Sequence, residues 1–341
     1  MKSRIAAVAL PICLIGFTFQ QAKAQGIDPQ CPPGSFNSAG SPDNTKVAQD
    51  ACQKAIDLFE YTAPQLGAIL AGGSATQGIA GTLGGLGHFS IGIRGNALRA
   101  SLPEVDRVVP NTRGAQITTY TLDNKAAGFV TGDFALGIFK GLPLGLTNVG
   151  GLDLLGSATY LPDYTSGAFS VTLPGGSWQF GYGGKLGLIQ ETALLPGVSI
   201  SFLERELPRV NIAGVSGDDR LFLDSLRVKS RSWRAVAGKS LLFLGIGGGF
   251  GQDTYYSSSE IRVSIAARPA SQGGTGGPIT LAQKLTRNNI FGTAWLRLPF
   301  LKLVGEVGRV SGGTIETYNE FDGTQAADNR TYGSIGVSFR K

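Results

Sequence analysis

The chain has 341 residues, of which 51 are Gly and 16% are charged, and its formal net charge is +6. The low charge and the 42% apolar content exclude a disordered chain, and one His with three Cys excludes a His- or Cys-rich metal site. Glycine is about twice as frequent as the ~7% of ordinary proteins, without the three-residue period of collagen.

Residues 1–24 have the pattern of a secretory signal peptide. Lys2 and Arg4 precede an apolar stretch that is too short for a transmembrane helix, and Ala22-Lys23-Ala24 forms a cleavage site. Removing this segment leaves 27 basic against 24 acidic residues. The remaining basic residues are scattered along the chain, so we expect no nucleic-acid partner.

Two cysteines, Cys31 and Cys52, remain in the exported chain. A disulfide between them would close a loop of about 20 residues and stabilise the fold by about 3 kcal/mol on the chain-entropy model. The alternative is a reactive or metal-binding pair. That role requires nearby His or acidic clusters, which the sequence lacks, so we predict a structural disulfide.

The segment from 25 to 87 is predicted to be helical and then Gly-rich. Asp43 or Asn44 can cap a helix over 45–60, and a second short helix is expected over 65–71. The small-residue run over 71–87 has no apolar period. Such a run can fold compactly only against another surface, which makes the segment 25–87 a possible lumen plug.

From residue 88 onward the apolar residues alternate with polar ones, as in β-strands with two different faces. The alternating segments are long, their polar faces carry charges, and aromatic residues lie near their ends. These features favour an all-β fold, a transmembrane antiparallel up-and-down β-barrel over 88–341, rather than a secreted β-sandwich. The clearest alternating segments are 88–98, 130–138, 178–191, 198–205, 261–265, 301–307 and 335–339.

The number of strands follows from the length of the alternating region. With roughly 20 residues for a strand of ~10 residues and its connection, about 12 strands fit, within a range of 10–14. A signal peptide followed by such a barrel predicts export to the outer membrane of a Gram-negative-type bacterium, with outer-membrane lipid as a partner.

The last predicted strand resembles the C-terminal β-signal that bacterial outer-membrane barrels present to their assembly machinery. Gly333, Val337 and Phe339 occupy the glycine, apolar and aromatic positions of this pattern. Unlike the usual pattern, the chain continues with Arg340 and Lys341 after the aromatic residue. The resemblance implies that the barrel assembly machinery is a partner.

Charged residues on the polar faces are candidates for lining the lumen or binding a ligand. Arg227, Lys229 and Arg231 share one side of a strand and would create a positive field that favours anions unless acidic residues pair with them. The alternative is that these charges are solvated or mutually paired. The candidates are Arg94, Asp133, Lys185, Glu191, Arg205, Arg227, Lys229 and Arg231.

The layout of a helical, Gly-rich N-terminal segment followed by a barrel resembles the FadL-type transporters of hydrophobic substrates. In that family the N-terminal segment folds into the lumen as a hatch. The Asn-Pro-Ala signature that is frequent near the N-terminus of the family is missing here. The resemblance implies passive transport of small, apolar solutes, and it supplies no binding residues.

Two other functions are weighed against transport. A structural or partner-binding barrel with a blocked lumen would have the same sequence pattern. A hydrolase would need His88 with Ser90, or a pair among Asp133, Asp153, Glu191, Glu204 and Glu206. His88 is the only His in the sequence. A phosphate-binding loop at the Gly-rich run Gly245–Gly251 is disfavoured, because the run lies inside an alternating segment and lacks the Lys of such a loop. We therefore predict a non-enzymatic barrel without cofactor or metal.

Overall fold

The fold is seen in a computed structural model that describes residues 26–32, 44–74, 76–104, 110–111, 113–166, 169–267 and 274–341. The predicted signal peptide 1–24 and the predicted cap residue Asp43 lie outside these residues. Among the described residues no helix is long and apolar enough to span a bilayer.

One helix, α1 (Asn44–Ala71), replaces the two helices expected from the sequence. Pro64, which immediately precedes the second expected helix, lies inside α1. A proline lacks the N–H that would bond to the carbonyl four residues earlier, which here belongs to Glu60. Gln283 of the surrounding sheet donates its side-chain amide to the Glu60 carbonyl at 3.2 Å. The helix therefore continues through Pro64 because the sheet supplies the missing donor.

Most of the chain is β-structure, as predicted. The strands are β1 (Phe89–Pro103), β2 (Thr119–Tyr120), β3 (Leu122–Phe139), β4 (Leu142–Leu144), β5 (Thr147–Val149), β6 (Gly151–Tyr160), β7 (Tyr164–Ser166), β8 (Phe169–Thr172), β9 (Trp178–Ile189), β10 (Gly197–Glu206), β11 (Val210–Ser216), β12 (Asp219–Leu241), β13 (Leu244–Ile265), β14 (Gly274–Arg297), β15 (Lys302–Ser311), β16 (Glu320–Phe321) and β17 (Arg330–Arg340).

Among the described residues, ten strands form a closed antiparallel ring in chain order: β1, β3, β6, β9, β10, β12, β13, β14, β15 and β17, which pairs back to β1. The short strands β7, β8 and β11 extend the sheet beside β12. Ten is the lower end of the predicted range. The estimate of 12 was high because it assumed the ~10 residues that a strand needs to span a bilayer. Strands β12, β13 and β14 are much longer, with 23, 22 and 24 residues.

The two faces of the ring differ as the alternation predicts. Large apolar side chains on its outer face are exposed, including Ile93, Phe180, Phe250 and Ile335. The inner face carries buried polar and charged residues and packs against α1, which contacts β1, β3, β10, β12, β13, β14 and β17. An apolar exterior around a polar, filled interior is the arrangement of a membrane β-barrel.

The two ends of the barrel differ in their connections. At the short-turn end the ring strands are joined by residues 140–150, 190–196, 242–243 and 298–301. At the long-connection end they are joined by 104–121, 161–177, 207–218, 266–273 and 312–329. Helix α1 begins at the long-connection end, where Asp57 accepts a bond from the Asn319 side chain at 2.6 Å. We call residues 44–74 and 76–85 the luminal segment.

Part of the glycine excess makes room for large side chains inside the barrel. At Gly67 of α1, a Cβ atom would lie 2.5 Å from the ring of Tyr255. Gly308 and Gly245 leave similar space for the rings of Tyr332 and Trp295 on neighbouring strands. Replacing such a glycine requires the ring to move, because buried aromatic rings have few alternative positions in a packed interior.

Candidate functional site

The C-terminus of α1 ends in the middle of the lumen against three arginines of the barrel wall, Arg94, Arg205 and Arg234. Their guanidinium groups donate to the last carbonyls of the helix: Arg94 to Gly72 at 2.9 Å, Arg205 to Ala71 at 3.1 Å and Arg234 to Ala71 at 2.7 Å. These carbonyls have no partner within the helix and carry its negative dipole end. We call the three residues the arginine clamp.

Two buried carboxylates neutralise part of the clamp. Asp133 on β3 accepts a bond from Arg94 at 2.6 Å, and Glu306 on β15 accepts one from Arg234 at 2.8 Å. Tyr332 donates its hydroxyl to Glu306 at 2.8 Å. The side chains of both ion pairs are at most 1% exposed. Three cations and two anions are thus concentrated around the negative end of one helix.

The second half of the luminal segment is fixed by polar bonds to the wall. Lys185 on β9 donates to the carbonyls of Thr76 and Ile79. Asp153 on β6 accepts a bond from the Leu83 amide at 3.0 Å. Lys185 and Asp153 lie on adjacent strands. Together they hold the glycine-rich run across the lumen, although the run has no apolar face of its own.

An apolar cavity of about 600 Å³ lies between the first half of α1 and the wall at the long-connection end. Leu58 and Phe59 of α1 face Leu221 and Leu223 of β12 across it. Charged residues are confined to a few positions of the lining, namely Lys54, Lys125, Asp219 and Arg220. A volume of this size with apolar walls is suited to a small hydrophobic molecule.

The start of α1 is anchored at the same end of the barrel. The predicted disulfide is confirmed: Cys31 and Cys52 are bonded, with Cα atoms 5.7 Å apart. In the connection 312–329, Tyr318 donates its amide to Asp57 at 3.1 Å. Burial, and then the carboxylates of Asp50 and Asp57, raise the pKa of the Tyr318 phenol. The first half of α1, one face of which lines the cavity, is therefore held by a disulfide and by hydrogen bonds to the connection 312–329.

The structure places four of the eight charged candidates inside the barrel. Arg94, Asp133 and Arg205 meet at the arginine clamp, and Lys185 lies further toward the short-turn end. Arg94, Arg205 and Lys185 bond directly to the luminal segment and Asp133 pairs with Arg94, while the role of all four toward a ligand stays a prediction. Glu191 lies in the connection after β9, where its carboxylate accepts bonds from the amide and hydroxyl of Ser240.

The lumen position expected for Arg227, Lys229 and Arg231 is wrong. Directly paired residues of antiparallel strands share a face. Trp233 and Phe202 form an exposed pair, and the pair of Arg231 and Glu204 lies two residues further along each strand, on the same face. The three cations therefore point outward. Glu204 accepts from Arg231 at 2.6 Å and also binds Lys229, while Arg227 binds Glu206.

Sequence reasoning missed the most deeply buried part of the clamp, Arg234 with Glu306. The available signal was the position of Trp233, one of the aromatic residues near the ends of the alternating segments. Because residues alternate along a strand, Trp233 and Arg231 share the outer face and Arg234 takes the inner one. The three cations at 227, 229 and 231 were assigned to the lumen, although they lie on the outer face of β12 and Arg234 lies on the inner one.

The residues weighed for hydrolysis have other partners. His88 lies before β1 with Nδ1 3.2 Å from the Gly85 carbonyl oxygen. The carboxylates considered as a pair are each bound to separate groups: Asp133 to Arg94, Asp153 to Leu83, Glu191 to Ser240, Glu204 to Arg231 and Glu206 to Arg227. The described residues thus do not bring two of these carboxylates together as an acid–base pair.

The comparisons with known proteins reach only the architecture. No family model and no curated protein matches the sequence. Solved structures with a similar arrangement include Ail of Yersinia pestis in complex with sucrose octasulfate (8% identity, 75% of this chain and 99% of that one, TM-score 0.28). Also similar is the transport unit of the autotransporter AIDA-I from Escherichia coli (10% identity, 83% of this chain and 98% of that one, TM-score 0.36). A third is the Pseudomonas putida toluene transporter TodX (9% identity, 78% of this chain and 96% of that one, TM-score 0.22). At these values the similarities carry no functional argument.

Proposed function

We propose that the protein is a bacterial outer-membrane barrel that takes small hydrophobic solutes into the apolar cavity beside α1 and passes them inward when the luminal segment moves. The cavity carries the proposal, since it is a large space with mainly apolar walls next to the lumen and its charged groups are few. In outer-membrane barrels the long connections face outside and the short turns face the periplasm. The cavity would then face the side from which solutes arrive.

Movement of the luminal segment is needed because the lumen below the cavity is filled. The C-terminal half of α1 packs with Tyr255, Phe291 and Tyr332 of the wall. The arginine clamp lies at the same depth. A solute in the cavity therefore has no continuous path to the short-turn end while the luminal segment stays in place.

Binding can be tested with a cavity-filling substitution. Ala55 on α1 is buried and lines the cavity, so Ala55→Phe should place a phenyl ring inside it and compete with a bound solute. We expect at least tenfold weaker binding of an environment-sensitive naphthylamine dye, measured by fluorescence titration of the protein in detergent. The control Ala237→Phe adds the same group on the exposed outer face of β12 and should bind the dye normally. Equal binding by both folded variants would refute the proposed site.

The alternative of a permanently blocked, structural barrel is favoured by the arginine clamp itself. Five buried charged residues hold the helix end, and opening would have to disrupt them. Liposome flux separates the two functions. Transport predicts uptake of a hydrophobic probe and no swelling with sugars, whereas the structural barrel predicts no flux of either solute.

A further inference from the structure

The outward-facing cations that were expected in the lumen form a second surface of the barrel. Lys229 on β12, Tyr256 on β13 and Lys284 on β14 are direct cross-strand neighbours on the outer face. One step closer to the membrane, Arg231 pairs with Glu204 of β10. We call Lys229, Arg231, Tyr256 and Lys284 the outer basic cluster.

The strand register fixes the height of this cluster relative to the lipid-facing band. Ile200, Ala235, Phe250 and Ile290 form an apolar row across β10, β12, β13 and β14. The next row toward the long-connection end contains the exposed aromatic pair Phe202 and Trp233. Arg231 follows two residues beyond Trp233, and Lys229 follows four residues beyond it.

Strand geometry converts these steps into distances. With a rise of ~3.3 Å per residue and a tilt of ~40°, Arg231 lies about 5 Å and Lys229 about 10 Å beyond the aromatic row. The polar headgroup layer of a bilayer is about 5–8 Å thick on each side. The cluster therefore starts at the level of the headgroups of the leaflet at the long-connection end.

The charge of the cluster is unbalanced in the direction that suits an anionic headgroup. Glu204 is shared by Lys229 and Arg231, and among the described residues Lys284 has no carboxylate partner. The cations of Arg231 and Lys284 flank the Tyr256 ring at 5.2 and 5.6 Å from its centroid. Glu206 pairs in register with Lys229 and is bound by Arg227. Four cations (Arg227, Lys229, Arg231 and Lys284) against two carboxylates therefore leave a surplus of two positive charges at this surface.

We propose that the outer basic cluster binds the phosphate groups of a phosphorylated lipid of the outer leaflet, a lipid A-type glycolipid. The lipid source follows from position, because the cluster continues the lipid-facing surface. Arg231 lies within the headgroup layer, and Lys229 and Lys284 lie just beyond it, where their long side chains can reach back to a headgroup phosphate. Its acyl chains would lie against the apolar row below, and its phosphates would meet Lys229, Arg231 and Lys284. This site is separate from the cavity beside α1, so its failure leaves the proposed transport function untouched.

Native mass spectrometry of the full-length protein in non-ionic detergent tests the site with diphosphoryl lipid A. At about fivefold in affinity per cation near a charged membrane surface, Lys229→Gln/Lys284→Gln should weaken binding about 25-fold. Glu204→Gln removes the shared anion and should strengthen binding about fivefold by the same scale. The control Arg99→Gln/Arg113→Gln removes two exposed charges outside the cluster, on β1 and in the connection that follows it, and should change binding less than twofold.

Three results would overturn the assignment, provided that every variant keeps its heat-dependent gel mobility. The first is equal binding by the cluster variant and the control. The second is equal binding of dephosphorylated lipid A. The third is displacement of the lipid by inorganic phosphate at matched phosphate concentration, which would assign the cluster to a free anion.

Discussion

The pair formed by Arg234 and Glu306 offers the sharpest test of the arginine clamp. Both side chains are fully buried, their atoms lie 2.8 Å apart, and Arg234 also donates to the Ala71 carbonyl at 2.7 Å. Arg234→Met keeps most of the side-chain volume and removes the charge. Glu306 then remains buried without its counter-ion, and the end of α1 loses a donor.

The expected cost follows from how buried ion pairs behave. Removing one partner of such a pair destabilises a protein by about 3–5 kcal/mol, whereas replacing both by apolar residues is often close to neutral. In Arg234→Met/Glu306→Met the Ala71 carbonyl keeps its bond from Arg205 at 3.1 Å, so the remaining penalty is one lost hydrogen bond, about 0.5–1.5 kcal/mol. Tyr332 keeps a partner in that variant because its hydroxyl also bonds to Asn289 at 3.1 Å.

The assay is urea unfolding of the protein in lipid vesicles, followed by tryptophan fluorescence. We expect Arg234→Met to lose about 3–5 kcal/mol of unfolding free energy and the double variant to recover part of that loss. Planar-bilayer recordings of the same variants should show more frequent openings for Arg234→Met, since the luminal segment is held less tightly. A single variant that costs under about 1 kcal/mol, or a double variant as unstable as the single, would refute this reading of the clamp.

Three further predictions use the same unfolding assay. Replacing Cys31 and Cys52 by Ser should lower the unfolding free energy by about 3 kcal/mol, and reductant should then have no further effect. Gly67→Ala should cost about 1–3 kcal/mol by forcing the Tyr255 ring to move, while Gly95→Ala, where nothing lies within 4 Å, should cost much less. Gln283→Leu should cost about 1–3 kcal/mol, because it leaves the Glu60 carbonyl without its donor. Pro64→Ala restores an N–H and should reduce that cost. An equal cost of Gln283→Leu with Pro64 and with Pro64→Ala would contradict this role of Gln283.

The alternation of apolar and polar residues predicted the barrel because a strand with one face in lipid and one in a polar lumen leaves that pattern directly. It was sufficient to identify the class and most strands. The strand number was less accessible, because nothing local shows that β12, β13 and β14 continue far beyond the bilayer. The single helix was missed for a similar reason: the donor that compensates Pro64 comes from Gln283, more than 200 residues later.

Less of the candidate site than of the fold could be predicted from the sequence. Residue type marked Arg94, Asp133, Lys185 and Arg205 as polar-face charges. That Arg94 and Arg205 bind the end of α1, and Lys185 the run after it, depends on where α1 stops. The apolar cavity between α1 and β12 joins residues from distant parts of the chain. No sequence pattern contains that volume, because it is defined by the gap between two surfaces.

Transport through this barrel requires the luminal segment to close the lumen and to move when a solute passes. A Cβ atom at Gly276 of β14 would lie 3.8 Å from the Cβ atom of Ala48 on α1, which is the usual Cβ separation in a disulfide. Ala48→Cys/Gly276→Cys can therefore tether α1 to the wall. The decisive measurement is uptake of a hydrophobic fluorescent probe into liposomes that contain the oxidised variant, with the two single Cys variants as controls. We predict loss of uptake on tethering and normal uptake in the controls, and undiminished uptake through the tethered barrel would contradict the account.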